Sequence, residues 1–370
     1  MHKRILLGCY EIPGFGGAST ATYKLFESMQ NDGLDVCLLN IIGEEDDDYF
    51  RSVFENNFGN PKSLNHVYNC TLKGPLFSPH PELDEVIPDL SPGINIGIDF
   101  IAALLMKRAD PNKDLIFLTA GCDQAKRYIM NGTKRDLLTL TKLIEQKKIR
   151  PTNFSAYEKE AVEISDFIIT HSEVVKFLFQ FFYPPYVRKI CSDVIWFSEW
   201  IYKDALDHSA LNKCFSDREI DVIFISSSWT RQEKNYELVK EIVSRLNDLN
   251  IHIVGEVDRP LEHAVHHGLI TNREQLFNLL GNCKTIVSPS LLDAAPGILF
   301  EASAMGCNIV ASKNCGNWEI CNEELLVDPY NLSNFLEKIS LSLTRSFDDN
   351  IDYFFKTNSY KNLVSTILDF

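Results

Sequence analysis

Apolar residues along this chain form short continuous runs that alternate with stretches of helical periodicity. Residues 3–9, KRILLGC, make the first run, and residues 35–42, DVCLLNII, make the second. Between the two runs apolar residues recur at helical spacing, and Gly33 then follows as a helix stop. A strand, a helix and a strand within about forty residues predict a β-α-β unit of a parallel sheet.

The same alternation continues as far as residue 182, with one interruption. Residues 44–92 are acidic at first and then rich in Pro, Asn and Gly, and no element is assigned there. The elements predicted after it are an apolar helix near 95–107, a strand at 114–119, a basic helix near 135–148, a helix near 155–165, a strand at 166–171 and an aromatic-rich helix at 173–182. The last helix carries four phenylalanines that are assigned to the core rather than to a membrane contact: Phe177, Phe179, Phe181 and Phe182.

A second series of strands and helices begins after residues 192–218, which show no strand rhythm. It comprises a strand at 220–226, a helix at 233–249, a strand at 251–255, a helix at 272–281, a strand at 284–288, a helix from near Gly297 and a strand at 308–311. The predicted fold class is therefore α/β, with two doubly wound Rossmann-like domains facing each other across a cleft.

The first domain is expected over residues 1–195 and the second over 196–345. A C-terminal helix in residues 346–370 is expected to pack back on the first domain. Doubly wound sheets bind ligands at the carboxyl ends of their strands, so the cleft is the expected site.

Charge and composition narrow the class of protein. The formal net charge of −15 argues against nucleic-acid binding, which needs a basic surface. No apolar run reaches the roughly 18 residues of a transmembrane helix, and Glu11 and Pro13 close the first run too early for a signal peptide. The ten cysteines include no C-x-x-C pair, which disfavours a zinc site and suits a reducing cytoplasm.

The segment 287–319 carries the strongest chemical signal. A strand ends at Ser288, a loop carries Asp293, and Pro296 and Gly297 open a helix that contains Glu301. The backbone N–H groups of residues 297–299 are expected to be unpaired at the helix start, which makes an anion site. A loop carboxylate, an anion site and a helical carboxylate together suit a sugar, a diphosphate and a ribose.

This segment resembles the retaining glycosyltransferases of the GT-B fold, family 4, also described as glycosyl transferases group 1. The matching residues are Pro289-Ser290, Asp293, Pro296-Gly297, Glu301-Ala302, Met305 with Gly306, and Gly316 followed by Glu319. Asp293 is a departure, because the family more often has Glu there. The resemblance covers essentially the whole second domain, and it touches the first domain at Gly16-Gly17-Ala18 and around Glu160, Asp166 and Ser172.

The resemblance implies roles for individual residues of the second domain. Glu301 would bind the ribose hydroxyls of a donor nucleotide, and Asp293 would lie beside the donor sugar. The N–H groups of Gly297, Ile298 and Leu299 would meet sugar hydroxyls and phosphates. Lys234 and Arg231 would bind the diphosphate, and Lys234 is preferred because Asn235 follows it as in the family's pattern. The backbone of Leu269 and Ile270 would meet the nucleobase, unless these residues only anchor a loop.

Signals in the first domain are weaker. Gly16 and Gly17 would approach the donor phosphate, or they form a simple tight turn. A nicotinamide fingerprint needs a third glycine, but Ser19 stands in its place, so no such cofactor is expected. Many relatives carry an acceptor-side histidine near residues 119–123, where Asp123 is the candidate substitute.

Two further features leave alternatives open. Basic residues between 126 and 150 predict either a peripheral membrane or phosphorylated-acceptor contact, or a solvated helix face. His263 and His267 would share a helix face, but a solvated helix is preferred to a metal site because no third ligand is evident. The family uses no bound metal, so neither a metal nor a cofactor is expected. Ser172 has the type and place of a helix cap.

The predicted activity is transfer of a sugar from a nucleoside diphosphate sugar to a hydroxyl, with retention at the anomeric carbon. The acceptor would be a glycan, a lipid-linked molecule or a protein, in glycan or cell-surface polysaccharide assembly in the cytoplasm. Two alternatives stay open: a sugar-nucleotide epimerase of the same architecture, and a catalytically silent partner in glycan assembly.

Overall fold

Two parallel sheets organise the protein. The computed structural model describes residues 4–10, 17–44, 66–90, 93–119, 121–130, 153–191, 196–357 and 359–370. In these residues the first sheet has seven strands in the order β3-β2-β1-β4-β5-β6-β7 and the second has six in the order β10-β9-β8-β11-β12-β13. Every described strand pair is parallel. The predicted α/β architecture of two doubly wound sheets is confirmed.

The strands follow each other along the chain with helices or loops between them. Those of the first sheet are β1 Ile5–Cys9, β2 Val36–Gly43, β3 Val67–Leu72, β4 Ile94–Ile98, β5 Leu115–Thr119, β6 Phe167–Thr170 and β7 Ile190–Cys191. Those of the second sheet are β8 Ile220–Ser228, β9 Ile251–Glu256, β10 Val265–His266, β11 Cys283–Ser288, β12 Asn308–Ser312 and β13 Leu326–Val327.

Helices cover the faces of the sheets. Those of the first half are α1 Gly17–Asn31, α2 Pro81–Leu90, α3 Asp99–Ala109, α4 Asp123–Met130, α5 Asn153–Ile164 and α6 Glu173–Phe182. Those of the second half are α7 Trp196–Leu206, α8 Tyr236–Arg245, α9 Arg273–Gly281, α10 Ile298–Ala304, α11 Leu332–Ser342, α12 Ile351–Thr357 and α13 Tyr360–Asp369. The basic helix predicted near 135–148 falls outside the described residues.

The end of α1 confirms the predicted stop signal. Gly33 has a φ of +78°, which a residue without Cβ adopts readily. Its N–H donates to the Gln30 oxygen at 2.9 Å, and the Leu34 N–H donates to the Met29 oxygen at 3.0 Å. These two bonds satisfy carbonyl groups at the helix end, so the chain can turn directly into β2.

The helix predicted near 95–107 is wrong at its first four positions, 95–98. Residues 94–98 form β4, which lies between β1 and β5 and is buried along its whole length, and α3 begins only at Asp99. A strand that is buried on both faces shows a continuous apolar run, and periodicity cannot distinguish such a run from a buried helix. Two elements, β3 and α2, also lie in the stretch to which no element was assigned.

The helix predicted at 233–249 is shorter than expected. A 3₁₀ turn covers Gln232–Lys234, and α8 begins after Asn235, whose φ is +61°. The left-handed backbone of Asn235 breaks the helical path, and asparagine tolerates that conformation better than most residues. The turn therefore carries Lys234 outside α8, at the carboxyl end of β8.

The hydrophobic cores follow the sheet faces, and the C-terminal segment belongs to both domains. It forms two helices instead of the single one expected. Ile351 and Phe354 of α12 join the core around α7, α9 and α10. Leu363 and Ile367 of α13 join the core that covers β1, β2 and β4 of the first sheet. The chain therefore crosses back to the first domain between α12 and α13.

The aromatic helix α6 is only partly in the core. Phe179 is fully buried, but Phe177 is 54% exposed, so its assignment to the core is wrong. The spacing explains the difference, because residues two positions apart on a helix point in different directions. No helix in the described part of the chain has both the length and the apolar character needed to cross a bilayer.

Candidate active site

Two predicted residues, Lys234 and Asp293, meet at the carboxyl end of the second sheet. The Lys234 ammonium donates a hydrogen bond to the Asp293 carboxylate, and each side chain is 16% exposed. Lys234 follows β8 and Asp293 follows β11, and these two strands are neighbours in the sheet. The sheet order therefore brings together a cation and a carboxylate that are 59 positions apart in the chain.

The turn that carries Lys234 is fixed to the Asp293 loop. The Asn235 side-chain amide donates to the Pro289 oxygen at 3.0 Å and to the Pro329 oxygen at 3.2 Å. The Leu291 N–H donates to the Glu233 backbone oxygen at 2.8 Å. These bonds, together with the left-handed backbone of Asn235, give a physical reason for asparagine after Lys234.

The Asp293 loop is held on its other side by residues that follow β12. The Asp293 N–H donates to the Asn314 oxygen at 3.2 Å, and the Gly316 N–H donates to the Asp293 oxygen at 2.7 Å. A Cβ at Gly316 would lie 1.7 Å from the Ala294 oxygen and 2.6 Å from the Ser172 hydroxyl. Glycine is therefore needed at this position, because a side chain would push the loop away.

The same loop contacts the first domain. The Ser172 hydroxyl donates to the Ala294 oxygen at 2.7 Å, across 122 positions of sequence. Ser172 also caps α6, because its hydroxyl accepts a hydrogen bond from the Val175 N–H at 3.3 Å. The predicted cap is confirmed, and the structure adds an interdomain bond that the sequence did not indicate. Leu292 is buried in the core of the first domain, so the loop is packed as well as hydrogen-bonded there.

Glu301, predicted as the ribose ligand, is buried in α10 and has a cationic partner that the sequence did not predict. Arg273, the first residue of α9, donates from Nη2 to the Glu301 Oε1 at 3.0 Å. Its Nε donates to the Asp204 carboxylate at 2.5 Å. Burial raises the pKa of the Glu301 carboxyl, while Arg273 lowers it and Asp204 raises it. No local sequence signal pairs Arg273 with a carboxylate 28 positions away.

The start of α10 differs from the predicted anion site. The Leu299 N–H donates to the Pro296 oxygen at 3.2 Å, so the expectation that it is unpaired is wrong. The reason is that residues 296–299 form a turn that overlaps the first residues of the helix, and the Pro296 oxygen closes that turn by accepting from Leu299. Within the described residues, the N–H groups of Gly297 and Ile298 have no hydrogen-bond acceptor.

Arg231, Leu269 and Ile270 lie around this centre with different surroundings. The Arg231 side chain is 44% exposed, and its Nε is 3.8 Å from the Glu233 carboxylate. Leu269 is exposed, and Ile270 packs against the core of the second domain. The loop before them is tied to β9, because the Gly255 N–H donates to the Gly268 oxygen at 2.7 Å.

The first-domain residues are only partly described. Gly16 lies outside the described residues, and Gly17 is the first residue of α1. Asp123 begins α4, which packs against the Gln232–Lys234 turn of the second domain. The Asp123 N–H donates to the buried carboxylate of Glu158 at 2.6 Å. Asp123 is thus placed near the cleft, on the side of the first sheet.

A buried histidine lies beside the strand end where the sequence showed none. His171 directly follows β6, and its Nδ1 is hydrogen-bonded to the Thr119 oxygen at the end of β5. Burial lowers the pKa of His171, which favours the neutral ring. The sequence could not place it there, because its neighbour Thr119 is 52 positions away.

The segment around His263 is a turn followed by β10, not the predicted helix. His263 has a φ of +65°, which is incompatible with a helix at this point. The His266 Nε2 accepts from the Leu261 N–H at 2.8 Å, and the rings of His267 and His252 are hydrogen-bonded at 2.9 Å. Among the described residues, no three His, Cys, Asp or Glu side chains form a group that could hold a metal ion.

Comparisons with known proteins agree with this architecture. Residues 219–345 match the family model described as glycosyl transferases group 1. The structure of lipopolysaccharide outer core galactosyltransferase WaaB is similar over 99% of both chains, with 12% identity and a TM-score of 0.67. HepE of Anabaena in complex with UDP and glucose is similar over 100% of this chain and 99% of its own, with 12% identity and a TM-score of 0.66.

A third solved structure, a glycosyltransferase from Rickettsia africae, covers 100% of this chain and 98% of its own, with 13% identity and a TM-score of 0.63. The chain has the GT-B fold. A search of curated proteins found no significant match. The domain match and the fold together support a glycosyltransferase of the GT-B type.

Proposed function

We propose that this protein transfers a sugar from a nucleoside diphosphate sugar to an acceptor hydroxyl, with retention at the anomeric carbon. The observation that carries the proposal is the pairing of Lys234 with Asp293, in a domain matched by the glycosyltransferase group 1 model. The complexes of HepE with UDP and with UDP-glucose favour a nucleoside diphosphate sugar as the donor. WaaB, a lipopolysaccharide galactosyltransferase, favours a role in cell-surface glycan assembly.

The diphosphate of the donor would bind where Lys234 now contacts Asp293. The Asp293 carboxylate and the diphosphate would then compete for Lys234. The diphosphate carries more negative charge than the carboxylate, which favours its contact with Lys234. During transfer the bond between the anomeric carbon and the diphosphate oxygen breaks, and negative charge grows on that oxygen. A fixed cation next to it stabilises this charge more in the transition state than in the bound donor. Arg231, exposed and close by, supplies a second cation.

The two carboxylates would act on different parts of the donor. Asp293, at the loop between β11 and α10, faces the position of the sugar. Glu301 is buried in α10, and its carboxylate would accept hydrogen bonds from ribose hydroxyls. The backbone N–H groups of Gly297 and Ile298 would add donors for the phosphate or sugar oxygens.

The acceptor would enter from the first domain, near Asp123 and His171. Its hydroxyl oxygen forms the new bond to the anomeric carbon, and its proton passes to the leaving diphosphate oxygen. The reaction needs no metal and no cofactor in this scheme. We keep a glycan, a lipid-linked molecule or a protein as the acceptor class, and the cytoplasm as the place of action. A peripheral membrane contact through residues 126–150 belongs to the same proposal, and most of that segment lies outside the described residues.

The experiment that tests this function begins with donors. Thermal stabilisation by UDP-, GDP- and dTDP-sugars in the presence of EDTA identifies the donor, and NMR of the product with an added sugar acceptor gives the anomeric configuration. A retained configuration supports the proposal, and an inverted one contradicts retention. Conversion of the donor without any acceptor would indicate an epimerase. Binding of a nucleotide sugar without transfer to any of the acceptors would indicate a catalytically silent binding partner.

A further inference from the structure

Arg273 lies between two carboxylates that come from different helices. Its Nη2 is 3.0 Å from the Glu301 Oε1, and its Nε is 2.5 Å from the Asp204 Oδ2. Asp204 belongs to α7, Arg273 to α9 and Glu301 to α10. The Glu301 side chain is 10% exposed and that of Arg273 is 40% exposed. The guanidinium thus connects a buried carboxylate to one nearer the surface.

The orientation of the Arg273 side chain is set by its surroundings. Asn272 caps α9, because its side-chain oxygen accepts from the Gln275 N–H at 2.9 Å. The guanidinium carbon of Arg273 is 4.8 Å from the ring centre of Phe277 and 5.9 Å from that of Trp200. Two aromatic rings and two carboxylates therefore hold one planar group. A planar group with fixed hydrogen-bond directions fixes in turn the direction of the carboxylates that it binds.

The hydrogen bond from Arg273 fixes the direction of the Glu301 carboxylate but uses only one of its two oxygens. In the described part of the chain, Arg273 is the one side chain that hydrogen-bonds Glu301, and it does so through Oε1. Oε2 remains for a hydroxyl group. A buried carboxylate is stable as an anion only with a nearby cation or several donors. Burial raises the pKa of Glu301, and Arg273 opposes that rise.

We propose that Arg273 is a positioning residue for the nucleotide, which holds the Glu301 carboxylate in the direction and the charge state needed to accept a ribose hydroxyl. The inference rests on the proposed function, because the ribose role of Glu301 comes from it. Arg273 itself is not required to contact the donor. Its loss should therefore act through Glu301, on binding more than on the chemical step.

The test is a double-mutant cycle read out as a pH profile of binding. The probe is UDP-glucose, or the GDP- or dTDP-sugar that stabilises the protein most in the thermal screen, measured by calorimetry from about pH 5 to 8 for the wild type, Arg273→Gln, Glu301→Gln and the double variant. The charged groups that act on Glu301 are Arg273 of α9 and Asp204 of α7. Removing the cation raises the pKa of Glu301, and a protonated Glu301 accepts hydroxyls poorly. Arg273→Gln should therefore weaken binding about tenfold or more. As the pH is lowered, the variant should begin to lose affinity at a higher pH than the wild type does.

Two further variants separate positioning from general damage. Arg273→Lys keeps a cation beside Glu301 and should preserve the pH profile of the wild type. Arg245→Gln makes the same change on an exposed side chain of α8 and should leave binding unaltered. In the Glu301→Gln background, Arg273→Gln should cause little further loss and no pH dependence.

The outcomes decide between the possibilities. Equal losses from Arg273→Gln in the wild-type and Glu301→Gln backgrounds would show that Arg273 acts independently of Glu301, and would overturn the inference. Wild-type affinity and an unchanged pH profile in Arg273→Gln would overturn it as well, with the proposed function intact. A wild-type protein that binds no nucleotide sugar would overturn the proposed function itself, and this inference with it.

Discussion

Lys234 and Asp293 form an ion pair at the carboxyl ends of β8 and β11. A second ion pair links the same two strands at their amino ends. There Lys284 of β11 binds Asp221 of β8 at 2.8 Å, with side-chain exposures of 23% and 20%. The two pairs are alike in composition and burial. They differ in position, because ligands of parallel α/β sheets bind at the carboxyl ends of the strands.

This symmetry allows a controlled test of Lys234. Lys234→Ala should reduce turnover by an amount equivalent to roughly 2–5 kcal/mol, because it removes a cation from a desolvated diphosphate. Lys284→Ala should leave turnover near that of the wild type. Both variants remove the cationic partner of a partly buried aspartate, but Asp221 keeps a hydrogen bond from the Asn250 N–H at 3.0 Å, so Lys284→Ala should lose no more unfolding free energy than Lys234→Ala. The measurement is single-turnover rate beside thermal unfolding, and full activity of Lys234→Ala would show that the wrong cation was chosen.

The interdomain bond of Ser172 predicts a second pair of variants. Ser172→Ala removes a helix cap, worth about 0.5–2 kcal/mol of stability, and also the bond to the Ala294 oxygen that holds the Asp293 loop. Ser359→Ala removes the comparable cap of α13, where the serine accepts from the Asn362 N–H at 3.4 Å. We expect Ser172→Ala to lose more stability than Ser359→Ala, by about the 0.5–1.5 kcal/mol of one further hydrogen bond, measured by denaturant unfolding.

Turnover should separate the two cap variants. Ser172→Ala should slow transfer at saturating donor, because the loop carrying Asp293 loses its hydrogen bond to the first domain and keeps only the packing of Leu292 there. Ser359→Ala should not. Equal turnover in both variants would mean that this interdomain bond has no part in the reaction.

Local signals predicted the elements and loops that form the candidate site. The strand before Asp293, the helix after it and the Lys-Asn turn each depend on residues within a few positions of one another, and such signals are visible in a single sequence. The strand β4 was mistaken for a helix because a short apolar run that is buried on both sides has no diagnostic period.

Contacts set by the order of strands were not predictable. His171 lies beside Thr119 because β5 and β6 are neighbours, and Arg273 meets Glu301 because two helices pack on the same face of the second sheet. Ser172 was expected as a cap, which is a local role. Its bond to Ala294 depends on the relative placement of two domains, and no spacing in the chain encodes that placement.

A buried carboxyl in the first domain predicts how stability depends on pH. Burial raises the pKa of Glu158 from 4.5 to about 7. Hydrogen bonds from the Tyr183 hydroxyl and from two N–H groups of α4 lower this pKa, but by less than burial raises it. The folded protein therefore binds more protons than the unfolded chain between these two values. Stability from this group is complete below about pH 4.5 and is lost as pH rises to about 7, by about 3 kcal/mol.

Glu158→Gln imitates the protonated carboxyl at every pH and should remove this dependence. The difference in unfolding free energy between Glu158→Gln and the wild type should move in favour of the variant as pH rises from about 5 to 8. Other titrating groups, including His171, contribute equally to the wild type and the variant, so their pH dependence cancels in the difference between the two unfolding free energies. A difference that stays constant over this range would show that Glu158 does not titrate there.

Donor binding is predicted not to need a metal. A nucleoside diphosphate sugar at one hundred times its dissociation constant should add about 2.7 kcal/mol to the unfolding free energy. The same stabilisation is expected with EDTA as with added Mg²⁺ or Mn²⁺. Binding that appears only after a divalent cation is added would contradict the proposed diphosphate contacts of Lys234 and Arg231.

The last prediction separates the two carboxylates of the site. Glu301, if it holds ribose hydroxyls as proposed, would contact the donor and the nucleotide product alike. A charge-assisted hydrogen bond is worth roughly 1.5–3 kcal/mol, so Glu301→Gln should weaken UDP binding about ten- to hundredfold. Turnover at saturation should fall less, because uniform binding leaves the chemical barrier unchanged.

Asp293→Asn should behave in the opposite way. In the proposed binding mode only the sugar would reach this side chain, and loss of its charge would free Lys234 from a competing anion, so UDP affinity should stay the same or increase. Transfer should nevertheless be slow, because the contact to the sugar is lost where the transition state forms. Calorimetry with UDP beside single-turnover rates measures both quantities for each variant. If the two variants weaken UDP binding equally, or neither weakens it, Glu301 and Asp293 do not divide the donor between them as their positions in α10 and in the preceding loop imply.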